Sequence, residues 1–185
     1  MLNWHTGDYV LDTLHPNTQV CPMLNTVTAT AYSQPDFLAY NTTLAIKELN
    51  SQLDAIFGKY NWEWKDCLDC MMSAVCSGRP IPTGTSGATM TEDIFNAAVK
   101  HIEYYTTYRA SWNNSQWAKM AMGTLSYDIR TRLEVAISDP TVAYKFILWS
   151  AHDVTIIPML AILFGDKWDR LWPPYASLGN SLTDV

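Results

Sequence analysis

The sequence is poor in charged residues and has no basic cluster. Charged residues make up 16% of the chain, against the ~25% that is typical of soluble domains. The formal net charge is −6, and the 12 lysines and arginines are scattered along the chain. Because nucleic-acid-binding proteins carry a basic patch or stripe, this pattern argues against nucleic acid as a partner. An anionic substrate would have to be held by a local site against the overall charge.

Long apolar runs are also missing. The longest, from Val154 to Gly165, is too short to span a bilayer, which takes roughly 20 residues, so no membrane anchor is visible. The first five residues have neither a basic segment nor the apolar segment of a secretory signal. Taken alone, these absences predict a soluble cytosolic protein. The 48% of hydrophobic residues, with 8 Trp and 10 Tyr, predict a folded core in a chain of about one domain.

The four cysteines point to a different compartment. They are Cys21, Cys67, Cys70 and Cys76. No histidine lies close to the last three, so the spacing disfavours zinc and favours disulfides formed in an oxidising environment. We therefore expect no bound metal.

Two N-glycosylation sequons agree with an extracytoplasmic location. They begin at Asn41 and Asn113, in Asn41-Thr42-Thr43 and Asn113-Asn114-Ser115, and each makes its asparagine a candidate for glycosylation. The expectation is a secreted or lysosomal glycoprotein whose signal is not present in this chain.

Apolar residues at helical spacing predict that most of the chain up to residue 140 is helical. Residues 1–33 are the exception, since their Pro, Thr and Asn content predicts irregular chain with a short extended piece around Val20, Leu24 and Val27. The helices are predicted over 35–57 with Ser33 as N-cap, over 62–74, from Thr91 to a break at Asn113-Asn114-Ser115, and from a Ser115 cap to Asp139-Pro140.

The pattern changes after residue 140. Residues 142–149 form an apolar run that predicts a buried strand of a parallel sheet. The polar quartet Ser150-Ala151-His152-Asp153 follows, then an apolar helix over 155–164 that Gly165 ends, and a second apparent strand at the end of the sequence. The prediction is an α/β fold with a helical part, 1–140, and an α/β part, 141–185. One strand and part of another cannot form a stable sheet, so the chain is predicted to be part of a larger domain.

His152 and Asp153 are the only polar pair placed for catalysis in this pattern. A strand that ends at the start of a helix can present both side chains to a cleft, where the helix N-terminus favours an anion. His152 could donate to a phosphoryl oxygen, and Asp153 could protonate a leaving-group oxygen. The plainer alternative is that Asp153 only caps the helix and His152 is a satisfied buried side chain.

Three segments in order resemble the histidine acid phosphatase family of the prostatic and lysosomal type. They are Leu148-Trp149-Ser150-Ala151-His152-Asp153-Val154-Thr155, which is similar to the family's His-Asp motif, Trp172-Pro173-Pro174-Tyr175-Ala176-Ser177, and Leu182-Thr183-Asp184. The resemblance implies a phosphoglycerate-mutase-like α/β fold whose helical subdomain corresponds to the long helices. It also implies an enzyme that hydrolyses phosphate monoesters through a phospho-histidine intermediate without a cofactor.

The resemblance assigns roles to individual residues. It implies that His152 binds phosphate and Asp153 donates the proton. It also implies a disulfide from Cys21 to one of the later cysteines, with Cys70 favoured. Members of the family are often dimers, so a homodimer is one assembly to expect, although the sequence itself leaves the oligomeric state open.

The sequence departs from the family at the nucleophile. No Arg-His-Gly segment occurs in it, although the family's nucleophilic histidine and two phosphate-binding arginines lie in such a motif. His5, His15 and His101 have no arginine-rich surroundings, and we interpret them as structural or surface residues. The leading hypothesis is a partial acid phosphatase that is inactive alone. The alternatives are a phytase or other inositol-phosphate phosphatase of the same superfamily, a non-catalytic secreted binding relative, and a helical domain with a chance His-Asp pair.

Overall fold

The computed structural model describes residues 12–59, 64–81, 87–139, 141 and 146–173, and of residues 65–68 it describes the backbone alone. This part of the chain contains six α-helices and one short 3-10 turn. The helices are α1 Met23–Tyr32, α2 Pro35–Asn41, α3 Leu44–Phe57, α4 Trp64–Cys76, α5 Glu92–Ser138 and α6 Asp153–Phe164. None of these helices is long and apolar enough to cross a membrane.

The predicted α/β fold is wrong for the part of the chain that the structure describes, which contains helices and no strand. The apolar run expected to be a buried strand is irregular from Phe146 to Ser150. Phe146 is 80% exposed and Leu148 is 65% exposed. A strand is stable only when neighbouring strands pair with it, and this segment has no partner strand among the described residues. The other half of that run, 142–145, and the second predicted strand lie outside the described residues.

The expectation of irregular chain over residues 1–33 is wrong for Met23–Tyr32, which forms α1. Residues 12–22 are turns and irregular chain as expected, and residues 1–11 lie outside the described residues. Leu24, Val27 and Ala31 are all buried, and they lie at helical spacing on α1. The threonines that suggested extended chain are accommodated within the helix, since Thr28 Oγ1 donates to the carbonyl of Leu24 and Thr30 Oγ1 to that of Thr26, both at 2.8 Å. Such bonds to the preceding turn satisfy a threonine hydroxyl inside a helix.

The helix predicted over 35–57 is present but divided in two. Gln34, not Ser33, occupies the N-cap of α2, and Pro35 is in its first turn as predicted. Thr43 then caps α3, because its side-chain oxygen accepts the N–H of Ile46. Gly58 ends α3 in a left-handed conformation with φ 88°, which confirms the predicted stop.

Helix α5 contains the predicted break. Its start is confirmed, since Oγ1 of Thr91 accepts the N–H of Ile94 at 3.3 Å. Residues 112–115 leave the helical conformation, and Asn113, Asn114 and Ser115 all have positive φ angles of 48°, 56° and 56°. Ser115 does not cap the second half as predicted. Its hydroxyl instead donates to the carbonyl of Ala161 in α6 at 3.0 Å.

The chain divides into two compact units, one formed by Met1–Thr30 with Thr107–Val185 and the other by Ala31–Thr106. These limits differ from the boundary near residue 140 that the sequence predicts, which stays a prediction. The core of the second unit is formed by one side of α3 with single residues of α4, of α5 and of the segment just before α5. Its buried members are Ile46, Leu49, Leu53, Ile56, Met71, Met90 and Ala98.

In the first unit, α6 packs against the part of α5 around the break. Ala110 and Ala118, on either side of the break in α5, pack with Ile157 and Ala161 of α6, and Trp168 closes the cluster. A second cluster joins Leu24 and Val27 of α1 to Trp117. Helix α6 is thus anchored by its buried residues, and this anchoring fixes the position of its N-terminus.

Candidate functional site

The His152–Asp153 pair lies at the N-terminus of α6, as the sequence predicts. His152 is the N-cap residue with extended backbone angles, and Asp153 is the first residue of the helix. The exposure of the two side chains tests the two interpretations of this pair, as catalytic residues that face a cleft or as a helix cap beside a buried histidine. His152 is exposed and Asp153 half-buried, so the alternative of a buried, satisfied histidine is wrong for this structure.

Asp153 uses one of its two carboxylate oxygens locally. Oδ1 accepts the N–H of Val154 at 2.7 Å, which is the capping role of the plainer alternative. Oδ2 accepts no hydrogen bond from the residues that the structure describes. An oxygen of this kind, on a half-buried side chain at a helix start, can exchange a proton with a bound molecule. The oxygen that caps the helix and the oxygen that stays open to a ligand are therefore different atoms of the same carboxyl group.

Thr155 organises the backbone around the pair. Its side chain is 3% exposed, and its hydroxyl accepts the backbone N–H of His152 at 3.4 Å. The same hydroxyl donates to the carbonyl oxygen of Leu14. Since a hydroxyl has one proton and two acceptor lone pairs, both bonds form together. Thr155 thus ties the N-cap of α6 to a residue 141 positions earlier in the chain.

The same connection brings His15 to the site. The rings of His15 and His152 meet edge to face, with centroids 5.9 Å apart and an interplanar angle of 76°. Nδ1 of His15 lies 3.1 Å from the carbonyl oxygen of Pro16. A carbonyl only accepts, so Nδ1 is the donor in that bond. His15, interpreted from the sequence as a structural or surface residue, is therefore an aromatic neighbour of His152.

Sequence reasoning missed His15 and Thr155 as parts of this site. His15 has no basic neighbour and lies in a segment without a helical or strand period. Thr155 looks like an ordinary residue of the first turn of α6. The only local signal was the spacing of Thr155 three residues after the N-cap, which is typical of a reciprocal capping arrangement.

Three of the five arginines contact residues other than His152 and Asp153. Arg130 and Arg132 form i,i+4 ion pairs with Glu134 and Asp128 on exposed turns of α5. Arg109 lies over the ring of Trp117, 4.0 Å from its centroid.

The cysteine predictions are not supported by the structure. Cys21, Cys70 and Cys76, whose side chains are described, are free cysteines, so the bridge from Cys21 to Cys70 is not formed here. Cys21 is half-buried and Cys70 exposed.

The two sequons have exposed asparagines at Asn41 and Asn113. In each sequon, however, the hydroxyl two positions later is used by the fold, through the Thr43 cap of α3 and the Ser115 bond to Ala161. These sequences thus have a structural reason to occur that does not depend on a glycan. Glycosylation at either site stays a prediction.

Comparison with known proteins gives distant and partial similarities. No family model matches the chain, and no solved structure matches it. Counting factor 60 of Dictyostelium discoideum is 24% identical over 180 residues, which cover 96% of this chain and 40% of that protein. A Schizosaccharomyces pombe protein described as a probable acid phosphatase is 27% identical over 135 residues, covering 58% of this chain and 28% of the relative.

A third relative shares a shorter region. Lysophosphatidic acid phosphatase type 6 of Bos taurus is 31% identical over 72 residues, or 37% of this chain and 16% of that protein. The chain spans well under half the length of each of these relatives. One of the three is named as a probable acid phosphatase and another as a phosphatase of lysophosphatidic acid, which supports a phosphatase-like relationship for this chain.

Proposed function

We propose that this chain contributes the phosphate-binding and proton-donating half of an acid phosphatase site that hydrolyses phosphate monoesters. The observation that carries the proposal is the placement of His152 and Asp153 at the start of α6, in a chain with partial similarity to acid phosphatases. The proposed ligand is the phosphoryl group of a monoester, and the wider enzyme is secreted or lysosomal.

Each residue has one role in this proposal. The imidazole of His152 donates to a phosphoryl oxygen, and the first turn of α6 adds the partial positive charge of its N–H groups. Asp153 in its carboxylic acid form gives a proton to the leaving oxygen as the ester bond to phosphorus breaks. The attacking histidine of a phospho-histidine mechanism is not among the residues assigned here, because no Arg-His-Gly segment occurs in the sequence.

Because no nucleophile is assigned, we expect the chain alone to bind phosphate without hydrolysing a phosphate monoester. Inorganic phosphate should bind weakly, with a dissociation constant on the order of 1 mM, equivalent to about 4 kcal/mol. The chain should release no phenolate from p-nitrophenyl phosphate beyond the buffer rate. Binding is measured by titrating phosphate into the histidine-labelled chain and following the imidazole signals by NMR.

The control is a variant that removes the imidazole and leaves the fold. His152→Ala should abolish saturable binding while the unfolding midpoint in urea stays close to that of the original chain, since His152 is exposed. Equal phosphate affinity in the original chain and in His152→Ala would sink the proposal.

A non-catalytic binding protein is the second candidate. The observation that favours it is the exposure of large apolar side chains in the same unit as the site, with Phe146 at 80% and Leu148 and Leu163 each at 65%. Exposed apolar surface is typical of interaction sites when it is contiguous. This candidate predicts that the chain binds no phosphate at His152, so the titration above separates the two functions.

A further inference from the structure

We propose that His15 is a positioning residue for His152, holding its imidazole in the orientation used to bind the phosphoryl group. This inference rests on the phosphate site proposed above and adds to it a residue from the opposite end of the chain. His15 has no place in the motif resemblance, and its role follows from its position beside His152.

The first step of the argument is the contact between the rings. His152 is an exposed side chain, and an exposed histidine can occupy several rotamers. The edge-to-face contact with His15, at 5.9 Å between centroids, favours one of them. Aromatic pairs in this geometry contribute about 0.5–1.5 kcal/mol beyond burial.

The second step is that the His15 ring is itself held. Its Nδ1 donates to the carbonyl oxygen of Pro16 at 3.1 Å, and the ring is half-buried. The carbonyl oxygen of Leu14, the residue before it, accepts a hydrogen bond from the hydroxyl of the buried Thr155. The His15 ring is therefore held in place, and the exposed side chain of His152 packs against it.

The third step is that Thr155 forms hydrogen bonds with the backbones of both segments, at His152 and at Leu14. The Thr155 hydroxyl accepts from the N–H of His152 and donates to Leu14. The two histidines thus share a single buried anchor, although they are far apart in sequence. A ring that is oriented before the ligand arrives loses less side-chain entropy on binding than a freely rotating one.

The test uses the chain labelled at histidine and compares His15→Ala with His15→Phe. The alanine removes the ring, whereas the phenylalanine keeps an aromatic surface without the ring nitrogens. Thr18→Ala, at an exposed position of the same segment, is the matched control. Two quantities are measured for each variant: the Cε1–H resonance of His152 without phosphate, and the dissociation constant for inorganic phosphate.

The proposal expects His15→Ala to move the His152 resonance and to weaken phosphate binding about three- to tenfold. His15→Phe should bind phosphate more tightly than His15→Ala, because it keeps the aromatic contact although it loses the bond to Pro16. Thr18→Ala should keep both values close to those of the original chain. An unchanged His152 resonance in His15→Ala overturns the proposal, and so does a phenylalanine variant that binds phosphate as weakly as the alanine variant. If the original chain shows no saturable response to phosphate, the proposed function fails and this inference fails with it.

A second pair of variants keeps the test decisive if His15→Ala does not fold. Thr155→Val removes the hydroxyl and keeps the branched shape, whereas Thr155→Ser keeps the hydroxyl. If Thr155→Val binds phosphate more weakly than Thr155→Ser, the result supports Thr155 as the shared anchor. Equal affinity in the two variants, with both folded, overturns it.

Discussion

The hydroxyl of Tyr40 lies 3.2 Å from Nδ1 of His101, and this pair links α2 to α5 inside the second unit. Burial and the neighbouring Tyr104 raise the pKa of Tyr40, so its hydroxyl keeps the proton and can donate to Nδ1. With Tyr40 as the donor, Nε2 of His101 carries the ring proton. That nitrogen is buried without a hydrogen-bond partner among the described residues.

His101 should make the stability of the chain depend on pH. The side chain is 1% exposed, and burial lowers its pKa from 6.5 to about 4. Because the folded pKa lies below the unfolded one, the unfolded chain binds the proton more tightly in the window between them. The stability gained from the neutral ring is complete above pH 6.5 and is lost as the pH falls towards 4, by an amount on the order of 3 kcal/mol.

Urea unfolding at pH 7, 6, 5 and 4 measures this effect. The free energy of unfolding of the original chain should fall more steeply over this range than that of His101→Gln, which has no ionisable ring. Carboxylates contribute equally to the pH dependence of both proteins, so their effect cancels in the difference between the two free energies of unfolding. Parallel curves for the two proteins would show that His101 does not titrate in this window.

The bond between Ser115 and Ala161 should contribute measurably to stability. Ser115 is 5% exposed, and its hydroxyl is the donor to a carbonyl of α6. That carbonyl also accepts the N–H of Gly165, so it keeps a partner when the hydroxyl is removed. We therefore expect Ser115→Ala to lower the free energy of unfolding by about 1 kcal/mol. Ser138→Ala, at an exposed position of α5, is the control and should change it little, and equal losses in the two variants would contradict a specific role for the bond.

The left-handed turn in α5 gives a prediction about the backbone alone. Asn114 is exposed and has φ 56°, a region that costs most residues with a Cβ roughly 1–2 kcal/mol and glycine almost nothing. Asn114→Ala should lower the free energy of unfolding by about 1 kcal/mol, whereas Asn114→Gly should leave it equal or slightly higher. Thermal unfolding followed by circular dichroism compares the two variants. An alanine variant as stable as the glycine variant would show that the turn is not left-handed at this position.

Local periodicity was sufficient to predict most helices but not the fold class. Leu49, Leu53 and Ile56 repeat at helical spacing and are buried together, and Gly58 ends their helix as expected. The apolar run before Ser150 matched a buried parallel strand equally well by pattern. Whether such a run pairs is decided by other strands, and the described part of the chain has none.

The candidate site shows the same limit. His152 and Asp153 were predictable because a polar pair at a helix start is a local pattern. His15 and Thr155 were not, since their relation depends on a hydrogen bond across 141 positions that no short-range pattern encodes. The break at Asn113-Asn114-Ser115 was predicted, but the buried bond of Ser115 to α6 was not, because it too is a tertiary contact.

The two carboxylate oxygens of Asp153 allow phosphate binding and proton donation to be separated. Asp153→Asn keeps an oxygen that can accept the N–H of Val154, as Oδ1 does at 2.7 Å, so α6 should still begin at the same residue. Where the carboxyl group of Asp153 is ionised, the substitution also removes a negative charge beside the phosphate, and like charges repel. We expect Asp153→Asn to bind inorganic phosphate at least as tightly as the original chain, while His152→Ala loses binding.

Asp166→Asn is the matched control, because it removes the same charge at an exposed position beyond the other end of α6. Its phosphate affinity should equal that of the original chain within error, since a charge on the solvent-exposed surface is screened over about 10 Å at 0.1 M salt. A gain in Asp153→Asn without a gain in Asp166→Asn would place the phosphate next to Asp153. Loss of phosphate binding in Asp153→Asn would instead mean that the carboxyl group itself holds the ligand, and its proposed role as a proton donor that is separate from binding would be wrong.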